Sequence, residues 1–136
     1  MKAPSKEVFW AWAIVVLWMG TIFYLSSIPK PGLPDLPMAY LIHKIAHFVE
    51  YSILGFLLVR AFIISKIHLS FTATVIVSMM LIVLFAASDE WHQSFVPGRN
   101  GCVADALGDI IYAALGVFVY GKKFCRMPVN TCQDVN

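Results

Sequence analysis

Two histidines four residues apart, His43 and His47, are followed by Glu50 in one apolar stretch of the chain. Asp89, Glu90, His92 and Gln93 stand together in a second, and Asp105 and Asp109 in a third. An i, i+4 histidine pair puts two imidazoles on one helix face, a spacing that lets both bind a single metal ion. In a metal reading His43, His47 and Glu50 are the ligands, with Asp89, Glu90 or Asp105 completing the sphere. This mixture of imidazole and carboxylate suits Zn, Mn or Fe. The same residues also suit acid–base chemistry without a metal. Carboxylates held close together do not all ionise at once, and His47 beside Glu50 or Asp89 has the make-up of a general base. The bland reading is a polar network in which histidines and carboxylates hydrogen-bond across helices and fix their register. Interhelical hydrogen bonds in membranes average only about 0.6 kcal/mol, a small return for so many ionisable groups, so a working site is the favoured expectation. Ser88 and Ser94 lie nearby, but hydroxyls so placed usually bond backbone carbonyls, and no Ser–His–Asp order emerges.

The elements that must position these residues are membrane helices. Of 136 residues, 60% are apolar and 13% charged, against about 25% charged in a soluble domain; mean hydropathy is +0.76. A span needs about 20 helical residues. Spans are expected at 8–27, 39–64, 71–94 and 102–120, between a tail at 1–7 and a polar tail at 121–136, all in one domain. The first apolar run is longer than a signal-peptide core and lacks a small-x-small cleavage site, so it reads as a retained helix. PKPGLPDLP forbids a continuous helix between the first two spans, and Pro97-Gly98 marks the turn between the last two. The net charge of +2, with no basic stripe, argues against nucleic acid as a partner. Cys102, Cys125 and Cys132 have no metal-type spacing and read as free thiols.

Four spans put both termini on one side. Lys2, Lys6, Arg60, Lys66, Lys122, Lys123 and Arg126 share that side, while Lys30, Lys44 and Arg99 fall on the other. The positive-inside rule makes the first group cytoplasmic. Nearly all the chemistry-bearing residues then fall within about 10 Å of the outer membrane edge. An ionisable group at the centre of a membrane helix costs about 2.5–3.5 kcal/mol even on the lenient scale, so these groups must face one another or water. On a helical wheel 43, 47 and 50 span an arc of about 60°, with Leu54 on the same line, and Asp89, Glu90 and Gln93 an arc of about 100°. Asp105, Asp109, Tyr112 and Gly116 follow one stripe of the last span. Gly108, Gly116 and Ala86 are small enough for close helix approach. Arg99, in the outward turn, has the fork to hold a phosphate or carboxylate. Lys44 and Tyr51 stand by as further substrate contacts.

HKIAHFVEYSILGFLL and SDEWHQSFVPGRNGCVADALGDIIYAALG resemble, in order and spacing, the two signature blocks of the VanZ-like family of bacterial membrane proteins. The resemblance runs from Ile42 to Gly116, and the first helix is similar only in kind. His43, His47, Glu50, Tyr51, Asp89, Glu90, Gln93, Arg99 and Asp105 occupy its motif positions. Asp109 stands where many members have Asn, and Tyr112 where many have Gly. The resemblance implies a multi-pass protein of the bacterial inner membrane, associated with teicoplanin-type glycopeptide resistance, and it implies no particular reaction. Two functions follow as expectations. One is a membrane-embedded enzyme acting on a lipid-linked or envelope substrate, with His43, His47, Glu50, Asp89, Glu90, Gln93 and Asp105 catalytic. The other is a non-enzymatic protein that binds lipid or glycopeptide and limits drug access. Proton-coupled transport is weaker, because four spans offer no inverted repeat.

Overall fold

In a computed structural model the chain is described over residues 5–29, 37–67, 69–99 and 101–125, with backbone alone at 37, 39, 40 and 123–125. Residues 30–36 of the PKPGLPDLP loop, Lys2 and the tail from 126 onward, with Arg126 and Cys132, lie outside the described residues. Four helices follow one another: α1 (Lys6–Ser26), α2 (Pro37–Ile64), α3 (Phe71–Gln93) and α4 (Val103–Cys125). All four are long and apolar enough to cross a membrane, so the protein is an all-α, multi-pass membrane bundle.

Local chemistry sets the helix ends. Ser5 caps α1 by accepting from the Val8 N–H at 3.4 Å, and Ser70 caps α3 by accepting from Ala73 at 3.2 Å. Pro37 opens α2, a first-turn position where its missing N–H leaves no intrahelical bond unmade. After α2 the chain reverses through Lys66 in the left-handed region (φ 50°), and after α3 through Gly98 (φ 76°). The expected boundaries differ from these by one or two residues, except that α4 runs through 121–125, which the sequence assigned to the polar tail. Apolarity marks where a helix meets lipid, whereas the backbone ladder continues into water wherever no Pro intervenes, and GKKFC contains none.

Successive helices run antiparallel, so α1 begins and α4 ends at the same end of the bundle. Helix α2 is central, and among the described residues its interface with α4 is the most extensive. That seam is built on missing side chains. A Cβ on Gly116 would run into the Ser52 carbonyl and lie 2.8 Å from the Phe56 nitrogen, and one on Gly55 would run into the Ala113 carbonyl. Gly108 is different: a Cβ there meets only the Tyr112 ring at 3.7 Å, so Tyr112 fills the space beside it and packs edge-on to Phe48. Helix α1 docks on α2 through two indoles. Trp12 Nε1 donates to Ser65 Oγ at 2.8 Å and Trp18 Nε1 to the Glu50 carbonyl at 2.9 Å. The core between helices holds Val15, Ile22, Leu54, Leu58, Ile82, Ala86 and Ala113, while Leu17, Leu84, Val103 and Ile111 face outward to lipid. An apolar groove of about 380 Å³, lined by Phe71, Val75, Met79, Val117 and Phe118 with Lys122, lies between α3 and α4 near the end where α4 finishes.

Candidate functional site

At the opposite end the polar residues meet. The first half of α2 contributes His43, His47, Glu50 and Tyr51, the last turns of α3 Asp89, Glu90 and Gln93, and the first turns of α4 Asp105 and Asp109. His47, Tyr51, Asp89, Glu90, Gln93 and Asp109 are buried, Asp89 completely. His43, Lys44, Glu50, Arg99 and Asp105 are partly exposed around them.

The centre is a histidine–carboxylate pair between α2 and α4. His47 Nδ1 lies 3.1 Å from both carboxylate oxygens of Asp109. The sequence alone pairs His47 with Glu50 or Asp89 and marks Asp109 as a departure from the family pattern. Its position on the α4 stripe, one turn after Asp105, was the available signal. Asp109 reaches His47 because the glycine seam holds the two backbones close.

Asp89 and Glu90, although adjacent, meet different neighbours, because successive helical residues are rotated by about 100°. Asp89 Oδ2 accepts from Ser26 Oγ at 2.9 Å, Gln93 Nε2 at 3.0 Å and the Tyr51 hydroxyl at 3.3 Å. Its buried Oδ1 has no hydrogen-bond partner among the described residues. Glu90 turns to α4, where Oε2 accepts from the Cys102 N–H at 2.8 Å. Gly101 makes this possible, because a Cβ there would collide with the Glu90 carbonyl.

Helix α1 supplies contacts that the sequence reading did not assign to the site. Ser26 holds Asp89. Ser27 Oγ lies 2.9 Å from His92 Nε2 and donates to the Phe23 carbonyl, so it accepts from the imidazole, whose ring stacks on Phe23. The adjacent serines at the end of an otherwise apolar helix were the only sequence signal.

Arg99 closes this end of the bundle. Nε donates to the Ile28 carbonyl at 3.2 Å and Nη2 to the Leu25 carbonyl at 2.8 Å, while Nη1 donates to Gln93 Oε1 at 3.2 Å and to His43 Nε2 at 3.1 Å. A guanidinium has five N–H donors, so little of the fork remains for an outside anion. Burial lowers its proton affinity from the usual range, while Asp89, Glu50 and Glu90 act in the opposite direction; an arginine so placed remains a cation. Lys44 is paired with Asp105 at the rim, which directs Asp105 away from the His47 centre.

The residues that the sequence offered as metal ligands are therefore distributed differently. The His43 ring stacks on that of His47 at 4.4 Å, but its Nε2 faces Arg99. The group of ligand atoms that does converge is one each from His47, Glu90 and Asp109, all within 4.8 Å of one another. Glu50 lies within electrostatic reach of His47, Asp89, Asp109 and Arg99. Tyr51 is fully buried, and its hydroxyl is directed to Asp89.

No curated protein and no solved structure matches the chain. The VanZ/LLP1 family profile matches residues 9–125, which takes in α1 as well as the two motif blocks. Helix α1 is thus part of the unit that carries the site, as Ser26 and Ser27 require, and the chain belongs to the VanZ/LLP1 family.

Proposed function

We propose that this VanZ/LLP1-family protein sits in the bacterial inner membrane with both termini in the cytoplasm, and that its polar end acts at the outer face on a lipid-linked or envelope substrate. Its physiological outcome would be resistance of the teicoplanin type. The observation that carries the reading is Glu50. It is a half-buried carboxylate that accepts no hydrogen bond among the described residues, beside a buried His47–Asp109 pair. A partly buried carboxylate without a structural partner is suited to take up or deliver a proton, and the neighbouring imidazole can relay it. Asp89, Gln93, Tyr51 and Arg99 hold the surrounding helices in place, and Lys44 and Asp105 flank the approach.

One observation favours the non-enzymatic alternative. Asp89 and Arg99 are engaged by protein partners, as in a fixed scaffold that binds a lipid or glycopeptide without changing it. Glu50→Gln separates the two readings, because it keeps size and hydrogen-bonding capacity and removes the proton. Expressed in a teicoplanin-sensitive host at wild-type levels, this variant should lose protection if proton transfer is the function. Full protection by the variant would refute the catalytic reading and leave the binding one. Orientation has its own measurement: a cysteine introduced between 31 and 36 should react with an impermeant thiol reagent added outside intact cells, and labelling only after lysis would invert the topology.

A further inference from the structure

We infer that His47, Glu90 and Asp109 form the binding site of one divalent first-row transition cation, held between α2, α3 and α4. The inference rests on the reading of this end as a working site, and it departs from the metal set that the sequence alone suggests.

Three observations lead to it. The first is geometric. Ligand atoms about 2.0–2.2 Å from an ion are about 3.0–3.5 Å from one another in tetrahedral or octahedral coordination. His47 Nδ1 already stands 3.1 Å from the Asp109 oxygens, and the Glu90 ligand atom is within 4.8 Å. Glu90 has the longer of the two carboxylate side chains, so a change in its torsions would close the remaining gap. With the ring proton on Nε2, His47 Nδ1 presents a lone pair to the ion.

The second observation is charge. Glu50, Asp89, Glu90 and Asp109 all act electrostatically within this cluster. Among the described residues Arg99 and Lys44 are the lysine and arginine cations at this end, and Lys44 is engaged with Asp105. Four carboxylates beside one guanidinium can all ionise in a low-dielectric setting only if a further cation compensates them. A divalent ion supplies two positive charges at once. The third is Asp89. Its Oδ1 is buried without a hydrogen-bond partner among the described residues, and an acceptor in that condition is costly unless a nearby cation compensates it. The residue lies within electrostatic reach of both His47 and Asp109.

His43 is outside the set because a cation bound at its Nε2 would have to displace Arg99. Three protein ligands leave positions open for water or an oxygen of a substrate, the arrangement of catalytic rather than structural metal sites.

The test uses purified full-length protein in detergent, stripped with a chelator and dialysed separately against Zn²⁺ and Mn²⁺. One equivalent of one of these ions per chain is expected, with a rise in unfolding temperature. His47→Asn, Glu90→Gln and Asp109→Asn should each weaken binding at least tenfold, whereas His43→Asn should retain the stoichiometry. No stoichiometric uptake, or uptake lost in His43→Asn and kept in Asp109→Asn, would overturn the assignment. Co²⁺ bound to the wild-type chain supplies a readout that needs no variant: visible absorption bands of a four- or five-coordinate N/O site are expected, and a purely six-coordinate aqua-like spectrum counts against the site. None of these readouts depends on drug protection. The metal assignment and the catalytic reading therefore fail independently.

Discussion

The α2–α4 seam makes a prediction with a built-in control. In Gly116→Ala the new methyl group would meet the Ser52 carbonyl and stand 2.8 Å from the Phe56 nitrogen and the Ser52 carbonyl carbon. These are backbone atoms of α2 and cannot rotate aside as a side chain would. Carbon contacts settle at about 3.5–4.0 Å, and the Ser52 oxygen is closer still, so the helices must separate by more than about 1 Å. Overpacking of this kind costs about 1–3 kcal/mol. Gly20 lies on the exposed face of α1 with nothing within 4 Å of its would-be Cβ. There Gly20→Ala should gain about 0.5–1 kcal/mol from lower backbone entropy alone. The same chemical change should thus move stability in opposite directions, leaving the variants about 1.5–4 kcal/mol apart. Thermal unfolding in detergent, followed by the fluorescence of the four tryptophans, reads the difference. If Gly116→Ala unfolds at or above the wild-type temperature, α2 and α4 do not approach as described, and the His47–Asp109 contact loses its basis.

Three further outcomes are expected. Arg99→Lys replaces a planar fork by a single ammonium that cannot reach the Leu25 and Ile28 carbonyls, His43 and Gln93 together; a loss of about 1.5–3 kcal/mol and faster proteolysis within 94–101 should follow, and wild-type protease resistance would refute the bracing role. Lys66→Gly relieves a left-handed conformation (φ 50°) and should raise stability by up to about 1 kcal/mol; a fall in unfolding temperature would show that the turn is not left-handed. The Lys44–Asp105 pair is only partly buried, at 24% and 30% side-chain exposure, so Lys44→Ala should cost less than about 1 kcal/mol and the effect should shrink in high salt, whereas a large salt-insensitive loss would place the pair inside the bundle.

The architecture was legible because length and apolarity decide it: a run of about 20 apolar residues has few alternatives to a membrane helix. The convergence of His47, Glu50, Asp89, Glu90 and Asp109 at one end was legible for the same reason, since topology fixes depth. Pairings were not. Whether His47 meets Glu50, Asp89 or Asp109 depends on the rotation of α2 against α4, which Gly55 and Gly116 set jointly. A glycine announces that something comes close without saying what. Arg99 read as an anion-binding fork because a charged residue in an outward turn has water as its default neighbour. Its carbonyl partners at Leu25 and Ile28 belong to a helix end that carries no polar side chain at those positions. Nor does the sequence show that the indole N–H groups of Trp12 and Trp18 find acceptors at Ser65 Oγ and the Glu50 carbonyl.

Asp89 is where architecture and chemistry can be separated. One oxygen accepts from three elements, through Ser26 on α1, Tyr51 on α2 and Gln93 on α3, and so ties the bundle together. The other oxygen accepts nothing among the described residues. Asp89→Asn can retain the first by placing its amide oxygen at Oδ2, and the amide nitrogen then falls where Oδ1 was. If Asp89 only fixes the bundle, the variant should behave as wild type in every assay, since the three structural hydrogen bonds persist. If its charge serves the cluster, the variant should stay folded, with an unfolding temperature well above that of Asp89→Ala, yet bind Zn²⁺ or Mn²⁺ more weakly and lose drug protection, because an N–H pair has replaced an anionic oxygen. Asp89→Ala removes both functions and leaves three buried donors unmatched, at a cost of about 1–3 kcal/mol for each that finds no other acceptor. An Asn variant as unstable as the Ala variant would mean that the carboxylate charge, rather than its acceptor geometry, holds α1 to α3.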